Sequence, residues 1–235
     1  MKKTIISLFA LVFIYFCTPT PQEAPNTFTD SRDSKVYKTV TIGNQVWMAE
    51  NLAYLPSVVG PATGSTTDPH YYVYDYDGTD VDEAKATTNY QTYGVLYNWP
   101  AAMNGAASSE ANPSGVQGAC PEGWHLPSDA EWTILTDYLG GEEVGGKMKE
   151  AGITHWRDPN TGADNSSGFT ALPGGYQGSD GAFYDIGRKG WWWSSTQYRT
   201  DYARPRGLNY SRTYVDWSDN SKEHGFSVRC LRDKD

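Results

Sequence analysis

The sequence predicts an α+β fold, and three observations carry that expectation. Residues 36–42, VYKTVTI, alternate as a strand does, and residues 45–48 resume after Gly43-Asn44, which reads as a two-residue hairpin turn. Residues 128–139 carry one well-signalled helix. The last third holds many short runs punctuated by glycine. A few short helices beside many short, irregular strands give α+β, and the chain shows no internal repeat and no second domain.

Taken in order, residues 18–34 are rich in Pro, Thr, Asp and Ser without apolar periodicity. They read as a flexible tether, which places the folded domain at 35–235. Residues 56–92 read as polar and irregular, with Tyr71, Tyr72, Tyr74 and Tyr76 embedded. Residues 93–99 form a β-type run, and Pro100 starts a short helical turn through Met103. Residues 104–119 read as a surface loop. The best helix follows. Ser128 is a natural N-cap, and Glu131 three residues later completes a capping box. Asp129 sets negative charge at the positive end of the helix dipole. Trp132, Leu135 and Leu139 recur on one face, and Gly140-Gly141 end the helix. A second short helix is expected at 144–150. Short strands are expected at 169–172, 182–186, 191–194, 207–210, 213–217 and 226–231.

The first seventeen residues read as a targeting segment that implies export. Lys2 and Lys3 precede an apolar run at 5–16, too short to span a bilayer, which meets Cys17. In one reading the signal is cleaved before Cys17, which then carries lipid and anchors the chain at the outer membrane or cell surface. In the other, an ordinary secretory signal is cut elsewhere and the product is periplasmic or secreted. Tyr15-Phe16 are bulkier than the small residues usual before a lipidated Cys.

Three cysteines leave one over in an exported protein. With lipid on Cys17, Cys120 and Cys230 remain as a pair that an oxidising compartment lets join. Their loop of about 110 residues would be worth roughly 4–5 kcal/mol in chain-entropy models. The alternative is two buried free thiols. Loss of Lys2 and Lys3 reduces the 19 basic residues to 17 against 28 acids, a net charge of −11. No basic patch with interleaved aromatics is present, which argues against nucleic acid as a partner. The nine Trp and seventeen Tyr, beside sparse Leu, Ile and Val, mean that aromatics build the core or are displayed.

Catalytic signatures are lacking. His70, His125, His155 and His224 are scattered without metal-ligand spacing, and His125 reads as a hydrogen-bonded structural residue. No nucleophile elbow, P-loop or dinucleotide fingerprint is present. No catalytic residue and no obligate cofactor are therefore expected. The run 75–83 offers Asp75, Asp77, Asp80 and Asp82, which could converge on Ca²⁺ if the loop bends, or could simply be a solvated acidic loop. Trp191-Trp192-Trp193, with Tyr198, Tyr202, Tyr210 and Tyr214, is the strongest ligand-binding signal, because flat aromatic faces stack on sugar rings. Alternation along a strand sends Trp192 one way and Trp191 and Trp193 the other. A binding face of Trp191, Trp193 and Tyr198, beside Arg188 and Tyr184, stands against the plainer reading of an aromatic core.

Several stretches resemble a known family in the right order: 46–52 (VWMAENL), 93–103 (YGVLYNWPAAM), 120–132 (CPEGWHLPSDAEW), 168–175 (GFTALPGG), 192–196 (WWSST) and 225–230 (GFSVRC). Together they are similar to the Fibrobacter succinogenes major paralogous domain, over roughly residues 35–233. The resemblance implies secretion and frequent lipidation. The segment 126–132 also resembles the helix start of the formylglycine-generating enzyme group, and Val228-Arg229-Cys230 resembles its last strand. This implies a C-type-lectin-like fold, in which a disulfide often links the region of a helix to the last strand, as Cys120 and Cys230 would. Formylglycine generation needs a reactive cysteine pair, and none is spare here. Trp217-Ser218-Asp219 is similar to the Trp-Asn-Asp element of calcium-dependent lectins, with Ser replacing the amide ligand. The expected role is a non-catalytic binding module for glycans or another extracellular polymer. The alternative is a structural or protein-interaction component of an envelope complex.

Overall fold

The computed structural model describes residues 26–234. The fold is α+β. Strand β1 (Thr27–Thr29) pairs antiparallel with β2 (Val36–Ile42), and Phe28 packs on Trp124 with ring centroids 5.1 Å apart. Between them Asp30 is buried and accepts a hydrogen bond from Arg32 Nη2 at 2.7 Å. The tether expected at 18–34 is thus corrected. Residues 27–34 belong to the domain, because three residues are too few to show alternation but enough to pair with a sheet edge.

Gly43-Asn44 turns the chain into β3 (Gln45–Met48), with Ile42 opposite Gln45, as the hairpin pattern required. The stretch 56–92, expected to be irregular, contains β4 (Tyr71–Tyr72), α1 (Val81–Ala86) and most of α2 (Thr88–Tyr93). Next come β5 (Leu96–Tyr97), α3 (Trp99–Met103), β6 (Trp124–His125) and α4 (Asp129–Leu139). A 3-10 turn (Glu142–Val144) leads into α5 (Gly145–Met148). The remainder is strand: β7 (Gly174–Gln177), β8 (Phe183–Ile186), β9 (Lys189–Arg199), β10 (Tyr202–Asn209), β11 (Asp216–Trp217), β12 (Asn220–Ser221) and β13 (Leu231–Arg232). Within 169–172 only Ala171, and within 226–231 only Phe226 and Ser227, make isolated bridges in place of the strands expected there, before Leu231 opens β13.

One sheet runs β1-β2-β3-β13-β6 and another β11-β10-β9-β7-β8, with β12 also on β10 and a separate β4-β5 pair. The β9–β10 hairpin is the spine of the second sheet. In it Gly207 lies opposite Trp191, and a Cβ at Gly207 would sit 2.5 Å from the indole. The bare backbone at this position is where the ring rests.

Strand β9 divides the interior. Trp193, with Trp191 packed beside it, faces a cluster containing Tyr37, Met48, Tyr97, Trp124 and Phe226, and Trp192 faces a second cluster of Trp47, Trp132, Trp156, Phe169 and Leu208. The period-two alternation predicted for the three tryptophans is what separates them. Cys120 and Cys230 are joined in a disulfide within the first cluster and close a loop spanning 110 positions.

The second cluster is held by buried cations. Arg229 is fully buried, with its guanidinium 4.1 Å from the Phe169 ring centroid. It donates to the Phe169 carbonyl, to Asn51 Oδ1 at 3.1 Å and to the Thr170 carbonyl at 3.3 Å. Thr170 takes φ 54°, a costly value for a β-branched residue, and Asn165 holds it there with two hydrogen bonds of 2.9 Å. Lys149 is equally buried. Its ammonium donates to the carbonyls of Thr161, Asn209 and Arg212 at 2.9, 3.1 and 3.0 Å, 5.6 Å from the Trp156 ring centroid. Two of these carbonyls, at the end of β10 and in the loop after it, tie that loop to the core, and the loop leads to Trp217.

Candidate functional site

The aromatic face predicted from 191–198 is not assembled. Trp193 is fully buried, and its indole N–H donates to the Tyr97 carbonyl at 2.7 Å. Trp191 is half-buried and stacks on Phe226 at 5.8 Å. Tyr184 is exposed on β8 and donates to Asp180, while Arg188 is exposed in the turn between β8 and β9. Tyr198 lies near the far end of β9, about 30 Å from Arg188 at the rise of an extended strand. Alternation correctly separates the tryptophans, but it does not say which face meets solvent. Cys17, expected as the lipid attachment site, lies outside the described residues.

The acidic run is also dispersed. Asp80 is the N-cap of α1, and its Oδ1 accepts the N–H groups of Asp82 and Glu83 at 2.9 and 3.0 Å. Asp82 is exposed in the first turn of that helix, and Asp75 takes a positive φ in the preceding turn. A helix cap therefore replaces the convergence of Asp75, Asp77, Asp80 and Asp82 expected for Ca²⁺. Among the described residues, no group of three or more His, Cys, Asp or Glu is arranged to hold a metal ion.

His125 is a buried clamp. Its ring nitrogens meet Glu131 Oε1 at 2.9 Å and Asp233 Oδ1 at 2.6 Å. Burial by itself lowers its pKa, but the hydrogen bonds and charges of the two carboxylates outweigh that and raise it. Glu131 meanwhile completes the predicted capping box, accepting the Ser128 N–H at 3.0 Å while Ser128 Oγ accepts the Glu131 N–H at 3.2 Å. One carboxylate thus starts α4 and fixes the imidazole.

The strongest site that the fold does assemble is a groove of about 280 Å³ between α4, the 3-10 turn and β10–β11. Asp129, Thr133, Thr136 and Asp137 come from the helix, Glu142 from the turn, and Arg204, Arg206 and Trp217 from the strands. Arg204 and Arg206 alternate along β10, and Trp217 pairs with Arg206 across the ladder, so all three share one face. Trp217 is 51% exposed. On its flank the Tyr214 hydroxyl donates to Glu142 Oε2 at 2.7 Å, which fixes a second ring near the groove. Tyr198, 41% exposed, extends the aromatic rim: the Arg204 guanidinium lies 5.3 Å from its ring centroid.

The charges of the groove are knitted together. Asp129 pairs with Arg206 Nη2 at 2.9 Å and with Arg204 Nη1 at 3.7 Å, and Asp219 meets Arg204 Nε at 3.4 Å. Arg206 Nη2 also donates to Thr133 Oγ1 at 3.0 Å. Burial lowers the Arg206 pKa, against the opposing pull of Asp129. The groove is therefore a patch of donors and acceptors beside an indole face. The sequence marked Trp217 and Asp219 by their likeness to a calcium-lectin element, but Asp219 here faces a guanidinium. What sequence could not signal is the convergence of residues from 129 to 217 on one surface.

The family model for the Fibrobacter succinogenes major domain matches residues 40–232. The chain belongs to that family. Searches of curated proteins and of solved structures gave no match. The Fibrobacter succinogenes major domain, as this chain builds it, includes the second core cluster, the buried residues of the first except Tyr37, the disulfide and every residue of the groove, since the match runs from within β2 into β13. Strand β1 precedes the matched region and adds an outer strand to the first sheet.

Proposed function

We propose that this domain is a non-catalytic binding module for glycans, with the groove at Trp217 as its binding face. One observation carries the reading: a half-exposed indole stands beside a row of side-chain donors and acceptors. Sugar rings present an apolar face ringed by hydroxyls, so they stack on an aromatic plane and exchange hydrogen bonds at its edge. The volume of about 280 Å³ lies at the small end of ligand sites. That suits a segment of a polymer crossing the surface better than a small molecule enclosed by it. In this reading the fold is C-type-lectin-like but recognition needs no Ca²⁺. The protein is exported and, through lipid on Cys17, displayed at the outer membrane or cell surface, where polymers are met.

The test is a glycan array probed with the purified protein, repeated in EDTA and with Trp217→Ala. We expect binding that EDTA leaves unchanged and that Trp217→Ala lowers at least tenfold, as loss of a stacking aromatic would. A folded protein that binds no glycan would sink this reading and transfer the role to protein interaction in an envelope complex.

A further inference from the structure

We infer that the Trp217 groove selects uncharged sugar chains and that Asp129 is the residue that sets this selectivity. The inference rests on the glycan reading above and names the ligand class within it. Two arginines lining a groove, Arg204 partly buried and Arg206 buried, would ordinarily favour uronates, because a guanidinium matches a carboxylate in charge and geometry. Here that capacity is already taken. The Asp129 carboxylate contacts both guanidinium groups, at 2.9 Å to Arg206 and 3.7 Å to Arg204, where a ligand carboxylate would otherwise sit. Asp219 engages Arg204 from another side at 3.4 Å.

What remains open to a ligand is acidic on balance. Asp129, Asp137 and Glu142 line the groove against Arg204 and Arg206. A uronate would meet like charges without an unpaired cation, which is costly at close range. Hydroxyl groups meet neither difficulty. They donate to the carboxylates, accept from guanidinium N–H groups, and leave the ion pairs in place. The helix N-terminus gives an anion no refuge either. Asp129 is the first residue of α4, so a side-chain charge already sits at the positive end of the dipole.

The test uses matched β-1,4-linked hexamers, neutral and acidic, of the same configuration: mannose with mannuronate, glucose with glucuronate, galactose with galacturonate. Binding to the purified protein is measured by titration calorimetry at low and at physiological salt. We expect the unaltered protein to bind at least one neutral hexamer and to bind its uronate partner at least tenfold more weakly. Asp129→Asn should narrow or reverse that ratio, with the new uronate binding weakening as salt rises. Asp219→Asn, outside the helix, should shift the ratio the same way by less, which keeps the test alive if Asp129→Asn fails to fold. Equal binding of uronate and neutral chains by the unaltered protein would leave the glycan reading standing and overturn the selectivity. An unchanged ratio in both folded variants would overturn the role of Asp129. No binding of any hexamer would remove the glycan reading, and this inference with it.

Discussion

The two core clusters on either side of β9 are built from the same aromatic material but are secured differently. The first, around Tyr37, Trp124, Trp193 and Phe226, contains the Cys120–Cys230 disulfide, and beside it lies the His125 clamp. The second, around Trp47, Trp132, Trp156, Phe169 and Trp192, has no covalent link and surrounds two cations, Arg229 and Lys149, with backbone carbonyls. A disulfide acts chiefly by restricting the unfolded chain and requires little of the native surroundings. A buried cation acts only in the native state, and only while every acceptor remains in place. One half should therefore be sensitive to reductant, and the other to loss of a single side chain.

The largest effect that separates them is removal of the disulfide. Replacing Cys120 and Cys230 together by Ala should cost about 4.7 kcal/mol in urea unfolding, the chain-entropy value for a loop of this size. Amide protection should fall first around residues 116–126 and 228–232. Uniform loss of protection across both clusters would remove the distinction. Next comes Arg229→Ala, which leaves the Phe169 and Thr170 carbonyls without their donor, leaves Asn51 Oδ1 only the Trp192 N–H, and opens a cavity under Phe169. We expect about 3 kcal/mol. A loss below about 1 kcal/mol would mean that the cage contributes nothing beyond the desolvation of the cation.

The smallest effect is in pH, where the halves should have opposite signs. The raised pKa of His125 means that its stabilisation is complete below the unfolded value of 6.5 and is lost as pH rises through the folded value. The stability gap between the unaltered protein and His125→Gln should shrink over that rise. Burial pulls Lys149 down to about 8, so between there and its ordinary 10.5 the unfolded chain holds a proton that the folded chain has released. Stability should climb with pH across that window, and Lys149→Met should flatten the climb. Denaturation midpoints measured from pH 6 to 10 would show both trends, and a Lys149→Met protein with an unchanged slope would contradict the second.

Local chemistry was legible in the sequence and convergence was not. The capping box of Ser128 and Glu131 and the Gly43-Asn44 hairpin depend on neighbours within four residues, and each formed where its pattern stood. The cysteine pair was legible because so few cysteines constrain the pairing. The alternation of Trp191 to Trp193 was legible as geometry, but which side faces water depends on Phe226, Tyr97 and Tyr37, far away in the chain. Asp80 misled because the same carboxylate spacing suits a cation loop and a helix start, and the backbone N–H groups of Asp82 and Glu83 decide between them. Trp217 stood out, but its groove needs α4 and β10 side by side.

Gly207 carries one more consequence. The β9–β10 hairpin is the longest pairing in the molecule, and long pairings are prone to slipping along each other. A slip of one residue would exchange the two faces of β9, sending Trp192 where Trp193 belongs. A slip of two would preserve the faces, so hydrophobic patterning alone does not forbid it. It would, however, bring Pro205 or Asn209 opposite Trp191, where only a residue without a side chain leaves room for the indole. The missing side chain at 207 therefore acts as an index mark that rejects the error which polarity cannot detect.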